Sequence, residues 1–332
     1  MRISLLPLAL LSLTTPALAD PAPARSPALA PSEIVAAAPK ADWVAISPSD
    51  LLVMDLARTA GEPGRTSAKG KPRRVVIQLM PPPFSQGWIG NIRKLAAAHW
   101  WDGLSVNRVQ DNYVVQWGDA DGDDRAKAKA FPTGLAKVSE ANYVAVSKLH
   151  PVCDRDVCPQ APMSVDTTSQ ELPHDDYAPN VGYGKGWPLA FDDDGTAWPI
   201  HCYGMVGVGR NLSPDTGSGA ELYTVIGHAP RHLDRNIALV GRVIEGIEHL
   251  SSLPRGTGAL GFYETAQERT PIVSIRLGNE VPALPVYEYL STESATFAKY
   301  ADARANRRDP FFIVPAGGAD ICNIPVPVRR VR

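Results

Sequence analysis

One arginine and one glutamine, set eight positions apart in an apolar β-pattern, are the residues of this chain with the clearest capacity for chemistry. Leu104, Val106 and Arg108 share one parity, and Ser105, Asn107 and Val109 share the other. Gln110, Asp111 and Asn112 read as a turn, and Val114, Val115, Gln116 and Trp117 read as a second strand. A three-residue loop centred on Asn112 places Arg108 opposite Gln116 on one face, whereas a two-residue loop places them on opposite faces. A guanidinium among valines and leucines is costly unless its donors are satisfied. Arg108 therefore belongs at a rim or cleft, a fixed donor partnered by Gln116 or by a ligand. The plain structural alternative is an edge-strand arginine whose head group reaches water.

Other chemistries fail on inspection. Gly256, Gly258 and Gly261 spell a dinucleotide-binding fingerprint, but Pro254 precedes it instead of a strand and Pro271 interrupts any following helix, so a loop is expected. Asp119, Asp121 and Asp123 alternate like a calcium loop, yet Gly122 is misplaced and Ala130 stands where a bidentate glutamate belongs. His201, His228 and His232 lack zinc-ligand spacing, and no metal is expected. No Gly-x-Ser-x-Gly elbow occurs. Cys153 and Cys158 bracket four residues and suit a local disulfide, while Cys202 and Cys322 would have to pair at long range.

Trp101, Asp102 and Gly103, then Asn107-Arg108-Val109 and the run Tyr113 to Asp119, form a pattern that resembles the cyclophilins, the prolyl cis/trans isomerases. A second block agrees: Gly204 to Val208, Gly219 to Thr224, and Leu233-Asp234 through Val240 to Gly246. The resemblance covers about residues 73–277 and implies a mainly β fold, a closed eight-stranded antiparallel barrel capped by two helices. It implies that Arg108 is catalytic and that Gln116 supports it and grips substrate backbone. It further implies a substrate-binding surface that includes Tyr113, Val114, Val206, Glu221, Tyr223, His232 and Leu233. Several of these depart from the family pattern: Glu221 replaces a glutamine, Val114 a methionine, His232 a tryptophan, Ile237 a histidine and Asn107 a histidine. The implied partners are proline-containing peptides or unfolded exported proteins, with no cofactor. A non-catalytic peptide-binding or chaperone module on the same fold is the alternative.

The chemistry such a site must perform is simple to state. Rotation about an X-Pro amide is slow because resonance must be broken, with a barrier of ~18–20 kcal/mol. No bond is made. A catalyst needs an apolar pocket for the proline ring and a donor aimed at the imide nitrogen, whose lone pair becomes available only as the amide twists. That is differential binding of the transition state, and each ~1.4 kcal/mol gained is tenfold in rate.

The elements that would position these groups follow from pattern. Residues 44–57 and 73–80 read as strands. From Ser85, a possible cap, Trp88, Ile92, Leu95, Ala96 and His99 make the apolar stripe of an amphipathic helix. Residues of about 120–203 are an insertion, with a helix expected at Ala126 to Leu135 and a turn-rich segment through Gly182, Gly184, Gly186 and Asp192 to Asp194. It could select substrate, cover the cleft, or be a surface excursion. A C-terminal extension, residues 281–332, carries an expected helix at Ser291 to Asn306 and a Pro-rich tail.

With 332 residues and 44% hydrophobic content the chain can bury a sizeable core, and its formal charge of −2 gives no reason to expect nucleic acid or anionic membrane as partner. The basic clusters Arg65 to Arg74 and Arg329 to Arg332 read as solvated, flexible stretches. Residues 1–19 read as a cleavable signal peptide, with Arg2, the apolar Ile3 to Leu13, and Ala17-Leu18-Ala19. The apolar run is too short to span a bilayer. Residues 20–42 read as a Pro/Ala-rich tether, and the main domain spans 43–280. Export implies an oxidising compartment, most simply a bacterial periplasm, which suits disulfides. The sequence leaves the oligomeric state open.

Overall fold

The structure is a computed structural model that describes residues 28–57, 73–146 and 175–331. In chain order its elements are α1 (Pro31–Ala36), β1 (Trp43–Ala45), β2 (Leu51–Leu56), β3 (Arg73–Leu79), α2 (Gln86–Ala97), β4 (Ser105–Val109), β5 (Val114–Gly118) and β6 (Ala145–Val146). There follow β7 (Asn180–Gly184), β8 (Trp187–Phe191), β9 (Thr196–Pro199), β10 (Met205–Val208), β11 (Leu222–Val225), β12 (Leu239–Glu245) and α3 (Glu248–Ser251). β13 (Thr270–Leu277), β14 (Tyr287–Leu290), α4 (Ala295–Ala305) and β15 (Val328–Arg330) complete the chain.

Eight antiparallel strands close into a barrel in the order β10-β11-β5-β4-β13-β2-β3-β12. Alternate side chains of each strand fill its interior, among them Leu52, Met54, Val75, Ile77, Val115 and Trp117. Closure leaves no unpaired edge in the barrel. α2 lays Trp88, Ile89, Ile92, Leu95 and Ala96 on this core, as the stripe demands, but ends at Ala97. His99 lies beyond it, with φ 53°. Ser85 does not cap the helix through its side chain; its backbone is left-handed and its hydroxyl donates to Leu239 O at 2.7 Å. The buried Asn91 turns a polar group to structural use, donating to Ala136 O and Ser218 O and accepting from Ala136 N at 2.7–2.9 Å. The second capping helix is the single turn α3.

The insertion builds a sheet of its own, β6-β9-β8-β7. The glycines that read as turns belong to a hairpin: β7 and β8 pair from Asn180↔Phe191 to Gly184↔Trp187, closed by Lys185 and Gly186, both at positive φ. Its glycine content hid the strands, although Tyr183, Trp187, Leu189 and Phe191 are all buried. No helix forms at residues 126–135, where Pro132 and Gly134 break the pattern. Instead Ala130 O accepts the Trp100 indole N–H at 3.0 Å.

The ends of the described chain are built into the molecule. The tether expectation fails from Pro31 onward: Pro31 begins α1, Glu33 accepts the Ala30 N–H at 2.7 Å, and the helix packs on α4. Residues 44–57 hold two strands in different sheets, since β1 joins β14 and β15. The tail ends in β15, so Arg329 and Arg330 are not free cations. Arg329 pairs with Glu288 at 2.6 Å and lies 3.7 Å over the Trp43 ring, and Arg330 pairs with Glu245. Arg74 likewise pairs with Asp55 at 2.8 Å. Cys202 and Cys322 form a disulfide that ties the end of the insertion to the extension. The signal-peptide reading, residues 65–72 and the Cys153–Cys158 pair lie outside the described residues. Among the described residues no helix is long and apolar enough to cross a membrane.

Candidate active site

The β4–β5 hairpin carries Arg108 and Gln116. Gln110 N donates to Val114 O at 2.9 Å, Asn112 sits at φ 50°, and the three-residue loop results. Arg108 then faces Gln116 and Val109 faces Val115. Below them the register shifts: Val106 pairs with Trp117, leaving Asn107 as the extra residue of a bulge. The bulge undoes the simple parity. Val106 and Val109 both enter the barrel core, while Arg108 emerges beside Gln116 on the outer face.

Arg108 is anchored by three of its five guanidinium N–H groups. Nε donates to Leu260 O at 2.8 Å, one terminal nitrogen to Gln116 Oε1 at 3.3 Å, and the other to Gln110 Oε1. Its cation lies 5.2 Å from the Phe262 ring centroid and 5.8 Å from that of Tyr113. Partial burial lowers its pKa, although a guanidinium stays charged.

This head group opens into a cleft of about 360 Å³. Tyr113, Val114, Tyr223, Leu233, Ile237 and Phe262 give the cleft apolar walls, and Asn107, Asp119, Asp123, Arg210 and Arg269 are its polar lining. Tyr223 is a β11 residue paired with Gln116 on one side and with Gly207 on the other. A Cβ on Gly207 would fall 2.4 Å from Tyr223 Cζ, so the ring needs a glycine there. Burial pushes the Tyr223 phenol well above its ordinary pKa. Its hydroxyl meets His201 Nε2 at 2.9 Å, and His201 Nδ1 meets Asp234 Oδ1 at 2.8 Å. Arg231 then bridges Asp234, at 2.7 Å, to Asp175, at 2.8 and 3.0 Å.

Most of the expected site residues converge. Tyr113, Val114, Tyr223 and Leu233 line the cleft with Arg108 and Gln116. His232 is exposed and stacks on Tyr113 at 6.4 Å, at the rim. Glu221 lies one layer behind, accepting the Asp119 N–H at 2.6 Å, with the amides of Asn107 and Gln116 favouring its charge. Val206 does not belong to the cleft: opposite Thr224 on β10, it points into the barrel core, 1% exposed. Pattern matching missed Gln110, Leu260 and Phe262. The last two belong to the loop whose glycines resembled a dinucleotide motif. Gly256 N donates to Val109 O and Tyr263 N to Asn107 O, both at 3.0 Å, which lays the loop along β4. Gly261, at φ 80°, would place a Cβ 2.6 Å from Val109 O, and this close approach explains the residue.

Residues 86–277 match the family model of cyclophilin type peptidyl-prolyl cis-trans isomerases. The chain belongs to the cyclophilins. That family is one of isomerases, and the closed barrel is its fold. The crystal structure of cyclophilin AquaCyp293 from Hirschia baltica is similar at a TM-score of 0.60 and 18% identity, over 87% of this chain and 93% of that one. A Cryptosporidium parvum cyclophilin type isomerase, solved in the presence of the dipeptide ala-pro, aligns over 68% of this chain and 98% of its own. It does so at 10% identity and a TM-score of 0.35, a likeness too weak to bear on the site. No curated protein matches the chain in sequence. On the cyclophilin barrel this chain adds the β6-β9-β8-β7 sheet and the β1-β14-β15 sheet with α1 and α4.

Proposed function

We propose that this cyclophilin accelerates cis/trans isomerisation of X-Pro bonds in exported polypeptides, with Arg108 stabilising the twisted imide. A proline ring enters between Tyr113, Val114, Tyr223 and Leu233, where it loses water contact. The X-Pro nitrogen then lies toward Arg108, whose two remaining N–H groups can donate to it. That nitrogen accepts only when amide resonance is broken, so the bond strengthens on the way to the perpendicular state. A charge-assisted hydrogen bond of roughly 1.5–3 kcal/mol, absent from the planar isomers, corresponds to about 10–150-fold in rate. Gln116 holds the guanidinium and presents its amide to the peptide backbone.

The observation that carries this reading is the anchoring of Arg108: three partners fix the cation at a cleft with an apolar wall and engage only three of its five N–H groups. A protease-coupled assay on a chromogenic X-Pro peptide tests it. Acceleration by the wild type and its loss in Arg108→Ala support catalysis, whereas peptide binding with no acceleration supports a chaperone module instead.

Export is supported by the Arg2, Ile3 to Leu13 and Ala17 to Ala19 pattern and by the Cys202–Cys322 disulfide, which persists in an oxidising compartment. Terminal sequencing of the protein secreted across a bacterial inner membrane should then begin at Asp20.

A further inference from the structure

The carboxylate of Glu221, just before β11, has donors converging on it that no substrate supplies. Oε1 accepts the Asp119 N–H at 2.6 Å, and the side-chain amides of Asn107 and Gln116 lie near enough to favour its charge. The surroundings are shaped to hold it: a Cβ on Gly118 would fall 2.0 Å from Oε1, and one on Gly209 would fall 3.0 Å from Glu221 Cβ and 3.4 Å from Gln116 Nε2. An ionised carboxylate only accepts, so the edge of the Gln116 amide that meets it must be the NH₂. The amide oxygen is thereby turned to Arg108, where it accepts at 3.3 Å.

We propose that Glu221 is a positioning residue that fixes the amide orientation of Gln116 and, through it, the guanidinium of Arg108, so that isomerisation is faster with the carboxylate ionised than with it protonated. The inference rests on the role given to Arg108 above. A glutamine at 221 offers both a donor and an acceptor and permits either orientation of Gln116; a carboxylate permits one.

Burial pushes the Glu221 carboxyl up to about 7, against the donors that favour its charge. The sign follows. Above that pH the group is ionised and Gln116 is held. Below it the protonated acid acquires an O–H donor, competes with Arg108 for the Gln116 oxygen, and loosens the cation. The charged and titratable groups on the surrounding elements are Arg108 from β4, Asp119 and Asp123 after β5, Arg210 after β10 and Arg269 before β13, with His232 at the rim.

The test compares the pH profiles of kcat/KM for wild type and Glu221→Gln between about pH 5 and 9 on one X-Pro peptide, together with the Gln116 side-chain amide resonances by NMR. The expected wild-type profile falls several-fold toward acid with an apparent ionisation near that of Glu221, and the Gln116 resonances move with the same midpoint. Glu221→Gln, which no longer holds Gln116 in one orientation, should be slower than the wild type at alkaline pH and flat over the range. An unchanged acid limb in Glu221→Gln assigns the ionisation elsewhere, His232 included, and overturns the inference. So do Gln116 resonances that do not titrate in the wild type, a readout that stands even where the variant fails to fold. Absence of any acceleration by the wild type would reject the catalytic reading instead.

Discussion

The hydroxyl of Tyr223 lies 2.9 Å from Nε2 of His201, whose other ring nitrogen lies 2.8 Å from Asp234. Asp234 is an acceptor, so Nδ1 of His201 carries a proton and Nε2 is the ring nitrogen that meets the Tyr223 hydroxyl. Both partners are nearly inaccessible to water, His201 at 1% and Tyr223 at 4%. The cleft wall is thus pinned from behind by a residue of the insertion, adjacent to the Cys202–Cys322 bridge. That makes the insertion a support for the cleft wall.

His201→Leu should therefore leave a buried phenol without a partner, at about 1–3 kcal/mol of stability. The loosened ring should raise KM for a proline peptide more than it lowers kcat. Adding Tyr223→Phe removes the orphaned hydroxyl and should recover much of both losses. Urea unfolding and steady-state kinetics on the two single variants and the double form the cycle, and strict additivity would contradict the coupling.

Arg231 is the hinge between Asp234 and Asp175, with side chains 2% and 5% exposed. Arg231→Ala would strand two buried carboxylates, a loss of about 3–5 kcal/mol by the usual cost of breaking a buried pair. Leu233 lies two residues away, so peptide affinity should fall with stability. Denaturant midpoints and peptide titration read the two effects separately.

Glu221 also makes stability depend on pH. Its carboxyl titrates near 7 in the folded protein and lower when unfolded, so the native state holds the extra proton between those values. Stability should then decline as pH rises through that window and level off above about 7. Glu221→Gln should remove this component and be the more stable form at alkaline pH, by roughly 1–3 kcal/mol. Parallel urea curves at about pH 5 and pH 8 measure it, and an equal wild-type-to-variant difference at both would refute it.

How much of this was legible is clearest at Arg108. The sequence offered a three-residue loop centred on Asn112 or a two-residue one, and the structure has the first, which pairs Arg108 with Gln116. The bulge at Asn107 was not readable, since it depends on a loop more than a hundred residues later bonding to β4 through Tyr263 N and Asn107 O. The same loop supplies Leu260 and Phe262, and its glycines signalled close packing without saying against what. Family position placed Val206 in the cleft, but facing Thr224 across β10 and β11 sends it inward. The inserted sheet was hidden because Lys185-Gly186 and the flanking glycines imitate loop composition, while burial of Tyr183 and Trp187 comes from tertiary packing. α1 was hidden by proline, which here occupies the one helical turn that tolerates it. His201 was weighed only as a metal ligand, and the partners that give it a role lie far away in sequence.

The most direct measurement is exchange NMR at equilibrium on a proline-containing peptide with catalytic amounts of wild type and of Arg108→Ala, each checked for native folding. Exchange cross-peaks between cis and trans resonances should build up with the wild type and drop by roughly 10-fold or more in rate with the variant. Equal exchange rates for the two proteins would contradict the assignment of the twisted imide to that guanidinium.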